Sequence, residues 1–157
     1  MIIREYEEKN AEALEKCIIE LQEFEKNLQP DFRPKGSKVA AAYRKYLIKK
    51  IKSNHGKIFV AEADKKIAGF IAILLEKQTS PCMAIKENAY ITDLIVLSKY
   101  RKSGIASALL KHAEKFAIKS KMNNIFLDVM FNNKLALNFY HSKRFKNRGI
   151  TLLKKLK

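Results

Sequence analysis

The chain has little of what small folds use in place of a core. It holds two cysteines, three prolines, five glycines and no tryptophan in 157 residues. Cys17 and Cys82 are too few and too far apart for a disulfide framework or a metal-ligand set, so reduced, partly buried thiols and no metal are expected. Apolar runs near the roughly 20 residues that cross a bilayer are missing, so no membrane span is expected. The start, Met1-Ile2-Ile3-Arg4-Glu5, lacks the charged-then-apolar layout of an export signal, which makes a cytoplasmic location the default expectation. Repeats, low-complexity tracts and Gly/Ser linkers are also missing, and the whole chain, residues 1–157, reads as one domain.

Acidic residues are scarce as well, 16 against 32 Lys and Arg, for a net charge of +16. Such an excess attracts polyanions, whether nucleic acid, a membrane surface or a phosphate-rich ligand. The lysines are scattered and do not form a block, which is the pattern of a solvated surface. No helix-turn-helix, RNA-binding strand motif or zinc spacing accompanies them, so no specific nucleic-acid partner is expected. A basic nucleic-acid- or ribosome-associated binding protein remains the alternative that the charge alone suggests.

Apolar residues, by contrast, are plentiful at 47%, enough to bury a sizeable core. Ile2 to Tyr6 reads as a short strand. Leu14, Ile18, Leu21 and Phe24 recur near helical spacing within Ala11 to Asn27. Val39, Tyr43, Leu47 and Ile51 do the same within Ser37 to Lys52, after a Pro- and Gly-broken loop. Lys57 to Ala63 and Ile67 to Leu75 read as a hairpin around Asp64-Lys65-Lys66. Ala89 to Leu97 is a strong strand, Ile105 to Lys119 a helix, Asn124 to Met130 a strand and Asn133 to Lys143 a helix. Phe145 to Leu156 is expected to give one or two further strands. The order β-α-α-β-β-β-α-β-α-β predicts an α/β fold with helices on both faces of a mixed sheet.

One segment carries chemistry. Tyr100-Arg101-Lys102-Ser103-Gly104-Ile105-Ala106-Ser107 leaves a strong strand and opens a helix. Such a turn aims several backbone N–H groups at one spot, and the helix dipole adds positive potential there. It is a physical site for phosphate, and Gly104 lets the backbone approach a ligand closely. The nucleotidase pattern Gly-x-x-x-x-Gly-Lys-Ser/Thr and the dinucleotide pattern Gly-x-Gly-x-x-Gly do not occur. By position alone, an ordinary tight turn is the competing reading.

Arg101-Lys102-Ser103-Gly104-Ile105-Ala106 resembles the pyrophosphate signature of GNAT acetyltransferases, Gln/Arg-x-x-Gly-x-Gly/Ala. It follows a strand, Tyr90-Ile91-Thr92-Asp93-Leu94-Ile95-Val96, that also resembles the family's. Asn133-Lys134-Leu135-Ala136-Leu137-Asn138-Phe139-Tyr140 resembles the family's second block, Asn-x-x-Ala-x-x-x-Tyr, separated from the first by a helix and a strand. The likeness covers most of the chain and implies a GNAT-like, mostly antiparallel central sheet. Two positions depart from the pattern. Lys102 stands where the family often has Gly, and Arg144-Phe145 stands where Gly-Phe is usual. A glycine would accept a left-handed helix end without a Cβ penalty, so Arg144 must take that strain or end the helix differently.

The resemblance implies acetyl-CoA as donor, direct transfer of its acetyl group to an amine, and a possible homodimer. It implies that the edge of Leu94-Ile95-Val96 bonds the pantetheine arm and polarises the thioester carbonyl. Residues Arg101 to Ser107 would hold the pyrophosphate. Asn133 and Ala136 would lie against the pantetheine, and Tyr140 would be the general acid. Each role has a plainer counterpart: a fully paired central strand, an N-cap for Asn133, an aromatic packing residue for Tyr140. The base stays open among Asp93, whose burial in an apolar strand would raise its pKa, Glu76 at the end of the preceding strand, and ordered water. His55, His112 and His141 form no constellation, the last two being expected to face solvent from their helices. No nucleophile-and-base arrangement is evident, which agrees with direct transfer. A non-catalytic acetyl-CoA sensor is a third reading. The acceptor side would be residues 24–32 and 78–84; Glu20, Glu23 and Glu25 of the first helix either suit a cationic amine or form the solvated side of that helix.

Overall fold

The computed structural model describes residues 1–77 and 79–156. Five strands and four helices run in the order β1 (Ile2–Glu5), α1 (Ala11–Leu28), α2 (Gly36–Ser53), β2 (Lys57–Ala63), β3 (Lys66–Lys77), β4 (Glu87–Val96), α3 (Ile105–Lys119), β5 (Asn124–Leu127) and α4 (Lys134–Ser142). The sheet order follows the sequence, β1-β2-β3-β4-β5. The first four strands pair antiparallel, and β5 runs parallel to β4. That last pairing needs a crossover, and α3 supplies it.

The sheet separates two cores. On one face Leu14, Cys17 and Ile18 of α1 and Ala40, Leu47 and Ile51 of α2 pack on Val60, Phe70, Ala72 and Leu74. On the other, Ile105, Leu109, Leu110, Ala113 and Ala117 of α3 cover Phe59, Ile71, Ile73, Ile91 and Val96. The near-continuous apolar runs of β2 and β3 follow from this two-sided cover. His112 shares in it. It was expected to face solvent, but its ring meets Phe59 edge-on at 4.5 Å, because this side of α3 lies on β2. His141 is exposed as expected. Cys17 is buried and Cys82 is exposed, so only the first matches the partly buried thiol expected of both.

Two strand expectations fail. β5 stops at Leu127, not Met130. Residues 143–156 form no strand among the described residues, although their apolar content suggested one or two. Propensity proposes a strand, but only a neighbour with matching register makes one.

Scarce glycine has a visible cost at the helix ends. His55, Lys121 and Arg144 take positive φ, 50°, 60° and 69°, after α2, α3 and α4. Each helix closes with paired backbone bonds that satisfy its last carbonyls. Met122 N donates to Ala117 O at 3.0 Å, and Phe145 N donates to Tyr140 O at 3.1 Å. Arg144 therefore accepts the strain that a glycine would avoid. Lys121→Gly is expected to raise stability by about 1 kcal/mol, or roughly 2–4 °C in melting temperature, which calorimetry would detect. No rise in melting temperature would show that the left-handed lysine carries no strain.

Candidate active site

The turn after β4 has the geometry that its sequence promised. Gly104 has φ +82° and stands at the head of α3. An added Cβ would meet no protein atom within 4 Å, so the space in front of it is open. Lys102 also takes positive φ, 60°, and Ser103 Oγ donates to Tyr100 O at 2.5 Å to shape the turn. The first intrahelical bond is Ala108 N to Gly104 O at 3.0 Å. The N–H groups of Lys102, Ser103, Gly104, Ile105, Ala106 and Ser107 meet no backbone or side-chain acceptor among the described residues. Six consecutive free donors at a helix N-terminus form an anion cradle. The Ile105 side chain is buried in the core, so only its backbone faces that cradle.

Arg101 does not reach into it. Its Nε donates to Val96 O at 3.0 Å and its Nη2 to Glu20 Oε1 at 2.9 Å. The same Glu20 oxygen accepts Ser98 N at 2.7 Å. Arg101 thus ties the turn to α1 and fixes its path. Glu20 is therefore engaged, as is Glu23, which accepts Gly36 N at 2.7 Å. The expectation of a merely solvated acidic side of α1 is corrected for both, because both cap free N–H groups.

β4 supplies the second feature. Its pairing with β5 covers only Asn88 to Ile91, against Asn124 to Leu127. From Thr92 to Val96 the edge that faced β5 has no partner strand. Backbone groups alternate along a strand, so Leu94 and Val96 present theirs to the open edge. Those of Ile95 turn to Phe70 of β3, which corrects the expectation for Ile95. The plain, fully paired strand is excluded. On the other side the β3 register jumps from Ala72↔Asp93 to Ile73↔Ile91, which makes Thr92 a bulge. One extra residue reverses the alternation of side chains. Ile91 packs toward α3, and two residues on, Asp93 meets Tyr43 of α2 instead.

Asp93 is 6% exposed. The Tyr43 hydroxyl donates across both its oxygens, at 2.9 and 3.0 Å. Burial pushes the Asp93 carboxyl above its usual range, while Thr92, Tyr43, Lys50 and Arg33 oppose the shift. Glu25 of α1 is pushed up by burial and by Asp93, against the pull of Arg33, which pairs with it at 3.2 Å. Sequence reasoning missed Tyr43 as a site residue, since its spacing in α2 marked it only as core. Glu76 is exposed at the far end of β3, opposite Asn88, and is not brought to Asp93. Tyr90, next to the split, donates to Asp128 Oδ2 at 2.8 Å.

Across the cleft, α4 carries the second motif. Asn133 Oδ1 accepts Ala136 N at 3.0 Å, an N-cap that leaves the Asn133 amide N–H groups free. Capping and ligand contact are therefore compatible. Tyr140 is half-buried, its ring edge-on to Phe139 and Phe145 at 5.2 and 5.4 Å. Burial, then the charge of Asp93, push its phenol up, so it stays protonated at any working pH. Gln78, in one of the two segments expected on the acceptor side, lies outside the described residues.

The model of the acetyltransferase (GNAT) family matches residues 21–145. The chain belongs to that family. A curated relative, the N-alpha-acetyltransferase of Sulfurisphaera tokodaii, is 28% identical over 106 residues, which is 64% of this chain and 63% of that protein. The match thus spans just under two thirds of that relative's length. Among solved structures, a mutant form of a Bacillus halodurans protein superposes with a TM-score of 0.83 at 22% identity, covering 100% of both chains. An aminoglycoside N-acetyltransferase solved with CoA superposes with a TM-score of 0.72 at 13% identity, covering 99% of each. At these identities the structural likeness shows the shared GNAT fold. The family generally uses acetyl-CoA, and the free donors after β4, the open space before Gly104 and the unpaired edge of β4 fit a long pyrophosphate-bearing thioester.

Proposed function

We propose that the chain, acting as one domain, transfers the acetyl group of acetyl-CoA directly to a primary amine of a small molecule, peptide or protein. The observation that carries this reading is the union of two features at one end of β4: six free N–H groups at residues 102–107 and an unpaired strand edge from Thr92 to Val96. The cradle takes the pyrophosphate. The β4 edge pairs with the amides of the pantetheine arm and orients the thioester, and one backbone N–H there polarises its carbonyl. The amide of Asn133 steadies the arm from α4, with Ala136 close beside it in the first turn. Bound acetyl-CoA supplies the activated acyl group and a thiolate leaving group.

Asp93 takes a proton from the incoming ammonium group, directly or through water, leaving a neutral amine that attacks. Tyr140 hydrogen-bonds the departing sulfur as the C–S bond breaks, and the second proton, which the nitrogen sheds as the amide forms, ends on that sulfur by way of the tyrosine hydroxyl. No covalent acyl-enzyme is required, in keeping with the lack of a nucleophile-and-base pair. A basic nucleic-acid binder and a non-catalytic sensor are the rival readings. Calorimetry with acetyl-CoA in moderate salt, followed by thiol release on a panel of amines, separates them. Binding with turnover supports the enzyme. Binding without turnover on any amine favours the sensor. Neither, with steeply salt-dependent RNA or DNA affinity, favours the nucleic-acid binder.

Tyr43 gives this mechanism a pH signature. The hydroxyl stabilises the charged form of Asp93, so its loss pushes the carboxyl further up. The base works deprotonated, and the rate rises as pH climbs through its pKa. Tyr43→Phe is therefore expected to move the acidic limb of kcat/KM to higher pH, with kcat on the alkaline plateau little changed. An unmoved limb, with the fold intact, would remove Asp93 as the base.

A further inference from the structure

Five segments of the chain meet at a pocket of 450 Å³ on the α1 side of the sheet, and they bring an unbalanced charge to it. Arg4 comes from β1, Lys16 from α1 and Glu62 from β2. Lys65 and Lys66 come from the turn into β3, and Lys99 from the turn after β4.

The one carboxylate that lines the pocket is already engaged. Glu62 Oε2 accepts Arg4 Nε at 3.1 Å and Arg4 Nη2 at 3.0 Å. Asn10 Oδ1 accepts Arg4 Nη1 at 3.0 Å, so the guanidinium is fixed in the wall. Glu20, one turn along α1 from Lys16, is committed to Arg101 and Ser98. Lys16, Lys65, Lys66 and Lys99 therefore have no carboxylate within ion-pair distance among the described residues. Lys99 Nζ lies over the Tyr100 ring at 4.8 Å, a contact that leaves its charge uncompensated. A round pocket of this volume is about 10 Å across, close to one screening length at 0.1 M salt, so the four ammonium groups repel one another when it is empty of counter-charge.

The lining also selects the kind of occupant. Ammonium groups are point charges on flexible stems and suit phosphate, whereas a carboxylate is best held by the fork of an arginine, and the arginine here is taken. Each phosphate carries up to about two charges, so two or three linked phosphates balance four lysines. Ala13, Ile67 and Leu97 supply the apolar part of the wall, and no aromatic ring lines it, so a nucleobase would find nothing to stack on.

We propose that this pocket binds a short chain of linked phosphates, either inorganic polyphosphate or the phosphate tail of a nucleotide, at a site separate from the cradle at residues 102–107. The two share no residue, and they lie on opposite sides of the sheet, one against α1 and the other at the head of α3. An occupant offsets the repulsion among the lysines and binds only the folded chain, so it also raises the melting temperature.

Calorimetric titration of the full chain with sodium tripolyphosphate and with ATP, in physiological salt and with excess acetyl-CoA present, tests the site. Both ligands are expected to bind with similar affinity, because the base adds no contact. Amide spectra without acetyl-CoA should shift at Ala13, Lys16 and residues 65–67 and change little at residues 104–107. The Lys16→Gln, Lys66→Gln double variant is expected to bind at least tenfold more weakly. Lys111→Gln, Lys115→Gln removes the same charge from the exposed side of α3 and should bind like the parent. Equal weakening in the two double variants would assign the binding to the net charge of +16 and overturn the proposal. Shifts centred on residues 104–107, or loss of binding when acetyl-CoA is added, would put the phosphates in the cradle and overturn it too. Binding of ATP without binding of tripolyphosphate would show recognition of a base and likewise overturn it.

Discussion

Tyr140→Phe is expected to lower kcat about a hundredfold while leaving acetyl-CoA affinity almost unchanged. Loss of a general acid costs roughly 10²- to 10⁴-fold. The lower end applies here for a physical reason. Burial and the charge of Asp93 make the phenol a weaker acid than usual. The leaving thiolate is already a fair leaving group, its thiol titrating near 8.5. The hydroxyl therefore helps mainly by hydrogen bonding to sulfur as charge develops there. The ring stays wedged between Phe139 and Phe145, so the melting temperature should barely move. Because the interaction exists only as the C–S bond breaks, the loss falls on kcat and not on binding. Steady-state turnover on the best amine found, beside a direct acetyl-CoA titration, makes the measurement. A parental kcat in a chemistry-limited assay would return Tyr140 to the core as a packing residue.

Gly104→Val is expected to weaken acetyl-CoA binding at least tenfold, about 1.4 kcal/mol or more. Two effects add. A β-branched residue at φ +82° is strained, and relaxing that strain swings the free N–H groups of the turn out of alignment. The new side chain also fills the open space where the pyrophosphate would approach. Gly104→Ala separates the two, since it adds the strain with far less bulk and should fall between Val and the parent. Calorimetric titration of folded variants reads both. Unchanged affinity in Gly104→Val would place the pyrophosphate elsewhere.

Much of this site could be anticipated from the order of residues, and the remainder has identifiable causes. Lys57–Ala63 and Ile105–Lys119 were readable to the residue because each ends at an abrupt change of pattern, Asn54-His55-Gly56 and Asp64-Lys65 around the first and Gly104 before the second. The six free N–H groups follow from a helix that begins directly after a strand and a turn. The bulge at Thr92 could not be read. The stretch Tyr90 to Val96 is apolar on both faces, so a slip of one residue leaves no mark on its alternation. The Tyr43–Asp93 pair joins residues fifty positions apart, and nothing local to α2 announces it. Asn133 was ambiguous between a cap and a ligand contact, and the geometry shows why the choice was false. Its oxygen caps while its amide N–H groups stay free. Phe145 to Leu156 misled because strand propensity says nothing about whether a neighbouring edge takes up the segment in register.

The left-handed residues at the helix ends bear on how far this protein can drift in evolution. A typical single substitution costs about 1 kcal/mol, and a domain has only about 5–15 kcal/mol before it fails to fold. His55, Lys121 and Arg144 each hold back a comparable amount that one codon change to glycine would release. None of the three lies in α1 or in the loop leading to α2, where the amine is expected to bind. A lineage could therefore reshape the acceptor side through about three destabilising steps and recover each at a helix end outside it, with the proposed acetyl-transfer machinery on β4 and α4 left as it is.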